Sequence, residues 1–426
     1  MPAPSAQPPF KPNTPNVHTE YRGGAPDSVV LIIITLGLLL GLQPLATDMY
    51  LPSLPLIQQG FGVHVSRTQL TLTGFLLAFG CSQLLWGPLS DRWGRRPVLL
   101  TGLAGYVIGA LGCASAQSMD ALIGWRALQG AALGAVVMCA RAVVRDLYAP
   151  HMGAQVMSKA LTGLGVLAFL APISGSLLVE WLGWRSTMTA QAFMGCVALG
   201  LVALRFKESI PQRNPQATRP SHLLRTWGLI VRNPMFQAYN LLTCSTYGGL
   251  FTNLAASSFT YINVLHMERT HYGLMLGTNA LCYIAGTFAC RRLLTRMNVQ
   301  QAVAIAGALT LAAGTMMGIA ALADSRSIWA YALPCCLYQM AHGIHMPCGQ
   351  SNAIAPFPQA AGTASAINGF VMMILAFAMG HWLGQHLDVD SAAPLAFGMW
   401  FWSACTALSA WVLVRRFGRI DPNHNK

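Results

Sequence analysis

Two charged residues stand inside long apolar stretches of the sequence, where a charge is costly and usually has a function. Asp48 lies late in the stretch from residue 29 to residue 51, whereas the next acids, Asp91 and Asp120, fall between apolar stretches. A carboxyl group held away from water favours its neutral form, so it can exchange protons near neutral pH. Asp48 is therefore a candidate proton-binding residue. Because Pro52 follows closely, a helix cap at the end of the stretch is the alternative.

Arg126 is the second such residue, and it opens the segment RALQG at residues 126–130. Arg126, Gly130 and Gly134 are four residues apart and so share one face of a helix. Glycines let helices approach closely, and a charge among apolar residues must face a polar interior. We therefore expect Arg126 to face a polar interior; a side chain that extends to the membrane surface or only pins helices together is the alternative.

A basic turn with the sequence GPLSDRWGRRP, residues 87–97, separates two apolar stretches. Its glycines allow a tight reversal and a close approach of helices. Asp91 is an acid among three arginines, where it can pair with arginine and cap the N-terminus of a neighbouring helix. We expect this turn to hold helices together in one conformational state; the alternative is a basic turn that only sets the topology. The candidate residues of this gate are Gly87, Asp91, Arg92, Gly94, Arg95, Arg96 and, from a later basic segment, Arg145.

Polar side chains within the apolar stretches could line an interior cavity for a small molecule. The candidates are Tyr50, Gln129, Tyr239, Asn240, Tyr247, Asn279, Tyr338, Gln339 and Asn368. His342 and His345 share a helix face, and they could titrate or bind a metal ion. Because no third ligand stands at a suitable spacing, we predict a polar lining there and no metal site.

The composition is that of a protein embedded in lipid. The 426 residues are 54% hydrophobic and only 9% charged, and the mean hydropathy is +0.48. A soluble domain has roughly 25% charged residues. The net charge of +13 is therefore not by default the mark of a nucleic-acid-binding protein, because membrane proteins concentrate Lys and Arg in cytoplasmic loops.

About 20 apolar residues in a helix cross a bilayer, and the sequence predicts an all-α protein with twelve such spans. The predicted spans are 29–51, 69–86, 98–116, 121–140, 160–179, 186–204, 235–256, 272–289, 299–323, 328–349, 364–384 and 392–414. With the N-terminus inside, 21 Lys and Arg residues fall on the cytoplasmic side and 4 on the other. This ratio predicts that both termini are cytoplasmic.

The spans divide into two groups of six. We predict a disordered tail at 1–27, bundles at 28–204 and 235–414, a basic linker at 205–234 and a tail at 415–426. Residues 286–295 repeat the basic turn at an offset of 199 residues, with Cys290 in place of Asp91. Such related halves are usual in secondary transporters. Within the linker, residues 223–231 could form a surface helix or belong to a solvated tether.

The turn at 87–97 resembles the signature loop of the major facilitator superfamily, Gly-x-x-x-Asp-Arg-x-Gly-Arg-Arg, at every fixed position. Segment 126–134 resembles a motif of that superfamily's drug/proton antiporter branch, in which the arginine is implicated in proton coupling. The segment LAPISGS at 170–176 is similar to the antiporter motif Gly-Pro-x-x-Gly-Gly, with Ala171 and Ser176 in place of two glycines. Pro172 and Gly175 then suit a kinked, closely packed helix, which either seals a gate or only packs.

Three further segments, ATDMYLPSLP at 46–55, RDLY at 145–148 and residues 356–365, resemble the bicyclomycin-resistance and chloramphenicol-efflux (Bcr/CflA) group. The resemblance implies a monomeric exporter of small amphipathic compounds or drugs in the bacterial inner membrane. It would be driven by the proton gradient, without a cofactor. Protons would act through Asp48, and Arg126 would tune that carboxylate. Export of a dedicated metabolite, such as a purine nucleoside, and uptake with protons are alternatives within transport.

A function of another class is a membrane-embedded enzyme acting on lipid. Its catalytic groups would be His381, His386, Asp388 and Asp390 around one loop. A solvated outer loop accounts for these residues better, so we predict a transporter and no enzyme.

Overall fold

The computed structural model describes residues 29–148, 150–210, 220–357, 360–386 and 391–418, and these residues form helices and short connections without a strand. Outside these ranges lie the tail predicted at 1–27, residues 419–426 of the tail predicted at 415–426, residues 211–219 of the linker, and Asp388 and Asp390. The first group of helices is α1 (Val29–Thr47), α2 (Leu54–Phe61), α3 (Val65–Trp93), α4 (Arg95–Ser115), α5 (Met119–Leu147), α6 (Pro150–Leu182) and α7 (Arg185–Arg205).

The second group follows the linker. It comprises α8 (Pro220–Arg232), α9 (Pro234–Ser258), α10 (Arg269–Leu294), α11 (Val299–Leu322), α12 (Trp329–Ile354), α13 (Ala361–His386), α14 (Ala393–Leu408) and α15 (Arg415–Phe417). A 3-10 turn, Leu51–Ser53, joins α1 to α2. Wide π-helical turns continue α9 over Phe259–Val264 and α14 over Ser409–Val414.

Polar residues placed just before the apolar runs set where several helices begin. The side chain of Ser118 accepts a hydrogen bond from the backbone amide of Ala121, which caps α5. Asn298 and Gln301 form a reciprocal capping box at the start of α11. Such caps satisfy the first amides of a helix, which have no partner within it.

Helices α1 and α3 to α7 pack against one another, and so do α9 to α14, although the most extensive contact of α13 is with α3. The two sets meet where α3 contacts α13 and where α6 contacts α10. Gln69 of α3 also donates a hydrogen bond of 2.5 Å to the backbone oxygen of Ala255 in α9. The α6–α10 contact brings Ser176 against Gly273. The contacts of Gln69 with Ala255 and of Ser176 with Gly273 lie towards the end of the molecule where α1 ends. The two sets of helices are therefore closed against each other at that end.

Ten helical segments in the described ranges are long and apolar enough to cross a membrane, so the structure does not by itself bear out twelve spans. The two predicted spans that fall short lie in α9 and α12, which have 25 and 26 residues. Neither contains Asp, Glu, Lys or Arg, but polar residues lower their hydropathy. Most of α9 is buried, including Thr243, Thr246 and Asn253. A helix enclosed by other helices needs fewer apolar residues than one facing lipid.

Helix α8 occupies the linker segment for which the sequence left a helix and a tether open. Ile230 is buried among residues of the second group, whereas Leu229 stays 65% exposed. An exposed leucine beside an anchored isoleucine fits a helix lying along an apolar boundary.

Candidate functional site

Asp48 lies directly after the last residue of α1. Its backbone amide still donates to the oxygen of Pro44 at 2.7 Å, so the backbone continues the helix by one more hydrogen bond. The hydroxyl of Thr47 donates to the Asp48 carboxylate, with 2.8 Å between Oγ1 and Oδ1. The Asp48 side chain is half-buried, whereas both neighbours, Thr47 and Met49, are buried.

The surroundings of Asp48 belong to both sets of helices. The turn Leu51–Ser53 that follows it packs against α6, α9 and α10. Tyr247 of α9 and Tyr272 of α10 lie close enough to interact electrostatically with the carboxylate. On the α6 side, a Cβ atom at Gly175 would overlap the backbone of Met49, so α6 can approach the end of α1 only because residue 175 is glycine. Asp48 therefore lies at the junction of the two sets.

Arg126 is fully buried in α5 and bonds to groups on two other helices. Its Nη2 donates to the backbone oxygen of Ala46 in α1 at 3.0 Å, and its Nε donates to that of Thr71 in α3 at 3.4 Å. Its Nη1 donates to the side-chain oxygen of Gln129 at 2.7 Å. One guanidinium thus links α1 and α3 to α5. Its contact with α1, at Ala46, is two residues before Asp48.

Aromatic rings complete the site of Arg126. The guanidinium carbon lies 4.4 Å from the ring centre of Tyr50 and 4.3 Å from that of Phe75, which is the geometry of cation–π attraction. The Tyr50 hydroxyl lies 2.6 Å from that of Thr71. Within the described residues no carboxylate is within ion-pair distance of Arg126. Carbonyl oxygens and aromatic rings therefore compensate the buried charge.

The hydrogen-bonded network extends from Arg126 to a further helix. The amide of Gln129 donates to the side-chain oxygen of Gln191 in α7 at 2.9 Å, and both glutamines are fully buried. Tyr50 and Gln129, two of the predicted cavity residues, thus belong to the Arg126 network. The sequence predicted that Arg126 tunes the Asp48 carboxylate. The structure shows no direct contact between the two side chains, which bond to different groups.

The segment predicted as an eleven-residue turn, 87–97, is mostly helical in the structure. Helix α3 continues through Gly87, Asp91 and Arg92 to Trp93, and α4 begins at Arg95, so Gly94 alone makes the reversal. The φ angle of Gly94 is +108°, a conformation that residues with a Cβ atom rarely adopt. A glycine with this geometry allows two long helices to join without a loop.

Arg95 is the centre of an ionic cluster at this reversal, and its side chain is 3% exposed. Its Nη2 lies 2.7 Å from Asp91 in α3, and its Nε lies 2.8 Å from Asp146 in α5. A third hydrogen bond joins Nη1 to the hydroxyl of Ser90. The predicted pairing of Asp91 with an arginine is present, and Asp146 extends it to a third helix. The side chain of Arg145 lies outside the described part of the chain.

Glu208, rather than Asp91, caps the helix that begins here. Its carboxylate accepts hydrogen bonds from the backbone amides of Arg95 at 2.8 Å and Arg96 at 3.2 Å. Arg96 in turn donates through its side chain to the oxygen of Ala203 in α7 at 2.9 Å. A carboxylate at a helix N-terminus satisfies free amides and complements the helix dipole. The segment after α7 is therefore fastened to the start of α4.

Replacing this cap should lower stability. We expect Glu208→Ala to reduce the free energy of unfolding by about 1–2 kcal/mol, because two amides lose an anionic acceptor. Thermal unfolding of the purified protein in detergent would measure the change. Glu268→Ala is a matched control, since Glu268 precedes α10 without capping it through its side chain. Equal effects of the two substitutions would contradict the assignment.

The other predicted cavity residues fall into separate groups. Asn240 and Asn368 meet across α9 and α13, with 2.7 Å between the Asn368 amide nitrogen and the Asn240 oxygen. Tyr338 donates to the backbone oxygen of Thr246 at 2.8 Å. Tyr239 donates instead to the oxygen of Gly418 at 3.2 Å, which is near the opposite end of α9 from Asp48.

Asn279 contacts the thiols of two cysteines in α12, Cys335 and Cys336, at 3.5 Å each. Gln339 is 6% exposed and Tyr247 is 9% exposed. Of this predicted set, Tyr247 is the residue that the structure brings within electrostatic range of Asp48. Their role in binding a substrate stays a prediction.

The two histidines of α12 do not face a common ligand. His342 lies 2.9 Å from the hydroxyl of Thr246 in α9 and against the ring of Tyr283, whereas His345 lies 3.2 Å from that of Thr310 in α11. No group of three or more potential metal ligands occurs in the ranges that the structure describes.

Pro172, which the sequence placed in a kinked helix, lies inside α6, and the helix continues through it without interruption.

Sequence reasoning missed several residues of these sites. Asp146 stood in the segment RDLY, which was read only as a family signature. Glu208 is the only acid between residues 205 and 234, and an isolated acid in a basic linker was a signal for an ion pair or a cap. Phe75 and Tyr272 gave no signal, because an aromatic residue in an apolar stretch is ordinary.

This arrangement of long apolar helices around buried charges defines a polytopic membrane protein. Residues 36–381 match the sequence profile of the Major Facilitator Superfamily, and the chain belongs to that family. It is therefore a transporter. The alternative of a membrane-embedded enzyme is not supported, because the family is one of transporters.

Relatives with assigned names confirm the resemblance to the Bcr/CflA group. The chain is 28% identical to a bicyclomycin resistance protein homolog of Haemophilus influenzae over 382 residues, covering 90% of this chain and 95% of that protein. It is 27% identical to a chloramphenicol resistance protein of Pseudomonas aeruginosa over 83% of this chain and 84% of that protein. For multidrug resistance protein D of Escherichia coli the identity is 27%, over 80% and 85%.

Solved structures agree with the fold. A bacterial homolog of the human lysosomal transporter Spinster superposes with a TM-score of 0.70 at 15% identity, covering 94% of this chain and all of that one. The human organic anion transporter MFSD10 gives a TM-score of 0.67 at 22% identity, covering 91% of this chain and all of that one. At these identities the likeness extends to the fold alone.

Proposed function

We propose that this protein exports small amphipathic compounds, including drugs, in exchange for protons across the bacterial inner membrane. Its twelve helices would span the membrane as two bundles, 28–204 and 235–414, with both termini in the cytoplasm. Relatives named for resistance to bicyclomycin and chloramphenicol support export. The ratio of 21 to 4 in Lys and Arg supports the orientation.

The position of Asp48 carries the proposal. The carboxylate is half-buried at the junction of the two sets of helices, near tyrosines of the second set and next to the close approach of Gly175 to Met49. A carboxyl group in such a place is neutral when protonated and charged when not, and the charge disfavours an apolar, closed surrounding. Its proton therefore biases how the two bundles pack.

Exchange follows from this bias. In the closed state described here, the bundles meet around Asp48, which favours the protonated form. Asp48 binds a proton that comes from that side of the membrane and releases one after the bundles have rocked to the other side. Substrate and proton occupy the interior alternately, as an antiporter requires. Asp48 would serve uptake only if the substrate and the proton were bound at the same time.

The cluster at the Gly94 reversal stabilises one of the two packings. Arg95, Asp91 and Asp146 link three helices of one bundle, and Glu208 fastens the segment that leads to the linker. Ion pairs this well buried are strong only in one geometry, so they favour one arrangement of the linked helices. Under the proposal this cluster lies on the cytoplasmic side, opposite Asp48.

A transport assay in proteoliposomes tests the proposal. Vesicles are loaded with radiolabelled chloramphenicol or with members of a compound panel, and an inward proton gradient is imposed. We expect at least one compound to leave faster with the gradient than after a protonophore has abolished it. Protein-free vesicles control for passive loss. Loss of every compound at the same rate with and without the gradient would refute proton-driven export.

A further inference from the structure

Buried polar groups without partners gather where α9 ends, on the side of the molecule where Asp48 lies. Among the described residues, no hydrogen-bond partner is found for the amide of Asn253 or for the hydroxyls of Thr260 and Tyr261. Each of these residues is at most 1% exposed. Leaving a buried polar group unbonded costs about 1–3 kcal/mol. Ordered water is the usual partner of such groups.

A fourth buried group without a partner among the described residues lies in the other bundle, against the start of α10. The hydroxyl of Ser176 in α6 is buried without a partner in the described chain, and it packs against Gly273. Gly273 is the neighbour of Tyr272, which lies within electrostatic range of Asp48. The unpartnered groups therefore extend to the surroundings of the carboxylate.

The backbone of this region is irregular in the same place. Thr260 and Tyr261 belong to the π-helical turn Phe259–Val264, which contacts the short helix α2 that follows Asp48. π-Helical turns are rare and occur frequently at functional sites, since the wider turn disturbs the regular hydrogen-bond ladder. The turn thus places two hydroxyls in a position that a regular helix would not give them.

Three buried tyrosines connect this region to Asp48 and to the surface. The Tyr272 hydroxyl lies 2.8 Å from that of Ser257, and the Tyr272 and Tyr261 ring centres are 6.4 Å apart. Tyr331 is buried in the same cluster of apolar side chains as Tyr261 and Tyr272. Tyr331 donates to the backbone oxygen of Ser325 at 3.0 Å, in the surface connection between α11 and α12.

We propose that Tyr331, Tyr261 and Tyr272, together with ordered water held by the unpartnered groups, form a proton path from the surface connection at Ser325 to Asp48. This inference rests on the proposed function, because it assigns the route by which Asp48 receives its proton. A hydroxyl accepts one hydrogen bond while it donates another. Each tyrosine can therefore take a proton from one side, release its own to the other, and stay neutral throughout.

The groups around Asp48 leave such a route open. Thr47 on α1 donates a hydrogen bond to the carboxylate. Tyr247 on α9 and Tyr272 on α10 lie close enough to interact with it electrostatically. Gly175, on α6, presents no side chain there. The nearby cation, Arg126, bonds to Ala46, Thr71 and Gln129 instead. The tyrosines are thus the titratable neighbours that can pass a proton to Asp48.

Radical footprinting in oxygen-18 water tests whether the path holds water. Hydroxyl radicals formed from bound water label the side chains beside it, even when bulk solvent does not reach them. We expect Tyr261 to be labelled several-fold faster than Tyr50 and Tyr338, which are equally buried but have hydroxyls bonded to Thr71 and to the Thr246 backbone. Labelling of Tyr261 no faster than that of these two residues would overturn the proposal.

Proton uptake after a pH jump tests the path without a transported compound. A pH-indicator dye follows uptake by purified protein, and the uptake that disappears in Asp48→Asn is assigned to Asp48. We expect Tyr261→Phe to take up the same amount on the order of 100-fold more slowly, the lower end of the effect of a positioned proton-transfer group. Tyr106→Phe is the control, because Tyr106 is equally buried but lies in α4, where its ring packs against Gly195 of α7.

The outcomes separate the two proposals. Uptake in Asp48→Asn equal to that of the natural protein would overturn the proposed function of Asp48. A loss in Asp48→Asn combined with an unchanged rate in Tyr261→Phe would overturn the path alone. A similar slowing in Tyr106→Phe would also overturn it, because the effect would then not depend on the position of the hydroxyl.

Discussion

Asp48→Asn should abolish the ability of this transporter to keep a compound at unequal concentrations across a membrane. One pH unit is worth about 1.4 kcal/mol per proton, so exchange of one proton for one neutral molecule sustains a concentration ratio of about 10. Asparagine has nearly the same shape as aspartate and still accepts a hydrogen bond from Thr47, but it cannot bind or release a proton. We therefore expect the ratio to fall to about 1, the value without coupling.

The measurement is the steady distribution of a transported compound in proteoliposomes under a fixed gradient. Exchange of labelled for unlabelled compound without a gradient should continue in the variant, which shows that it is folded. Asp120→Asn is the matched control, since Asp120 is also an acid towards that end of the molecule but is 75% exposed and paired with Arg67. A variant at position 48 that still sustains the full ratio would show that the coupling proton binds elsewhere.

The sequence was sufficient to select Asp48 and Arg126, because a charge in an apolar stretch stands out against its background. It was not sufficient to find what they bind. Ala46 and Thr71 contact Arg126 through backbone oxygens, which every residue has, so no residue type could announce them. The sequence therefore suggested an interaction between the two charges, whereas the structure gives each of them other partners.

The sequence also does not show which helices are enclosed by others, and this explains why the predicted spans in α9 and α12 have a low hydropathy. Hydropathy reports how a segment would sit in lipid, but these helices are largely enclosed by others and contain polar residues that bond internally, such as His342 to Thr246. The turn at Gly94 shows the reverse case. Its residues were recognised, yet the start of α4 is capped by the Glu208 carboxylate, 112 residues beyond Arg96, and a local pattern carries no information about that contact.

Arg126→Lys is expected to have the second largest effect, although it preserves the charge. The guanidinium reaches three oxygens on three helices and lies against two rings. A lysine ammonium is a compact group on a flexible stem, so it cannot match this fork or stack in the same way. Losing one charged hydrogen bond and part of the cation–π attraction should lower the free energy of unfolding by about 2–4 kcal/mol.

Chemical unfolding in detergent would measure the loss, and Arg67→Lys is the control. Arg67 is a half-exposed arginine paired with Asp120, and an exposed pair of this kind contributes about 1 kcal/mol or less. The comparison of the two variants therefore tests whether the planar shape of the side chain matters at position 126. An Arg126→Lys protein as stable as Arg67→Lys would mean that charge alone is required at position 126.

Removing the charge at this position distinguishes packing from tuning. If Arg126 acts by holding α1, α3 and α5 together, Arg126→Gln should slow export while the pH at which export is half-maximal stays where it is in the natural protein. If instead its charge stabilises the ionised form of Asp48, loss of the charge must move that pH upwards, because a carboxylate without a nearby cation holds its proton more tightly. Since the guanidinium bonds to carbonyl oxygens and to Gln129, the structure favours an unchanged pH midpoint.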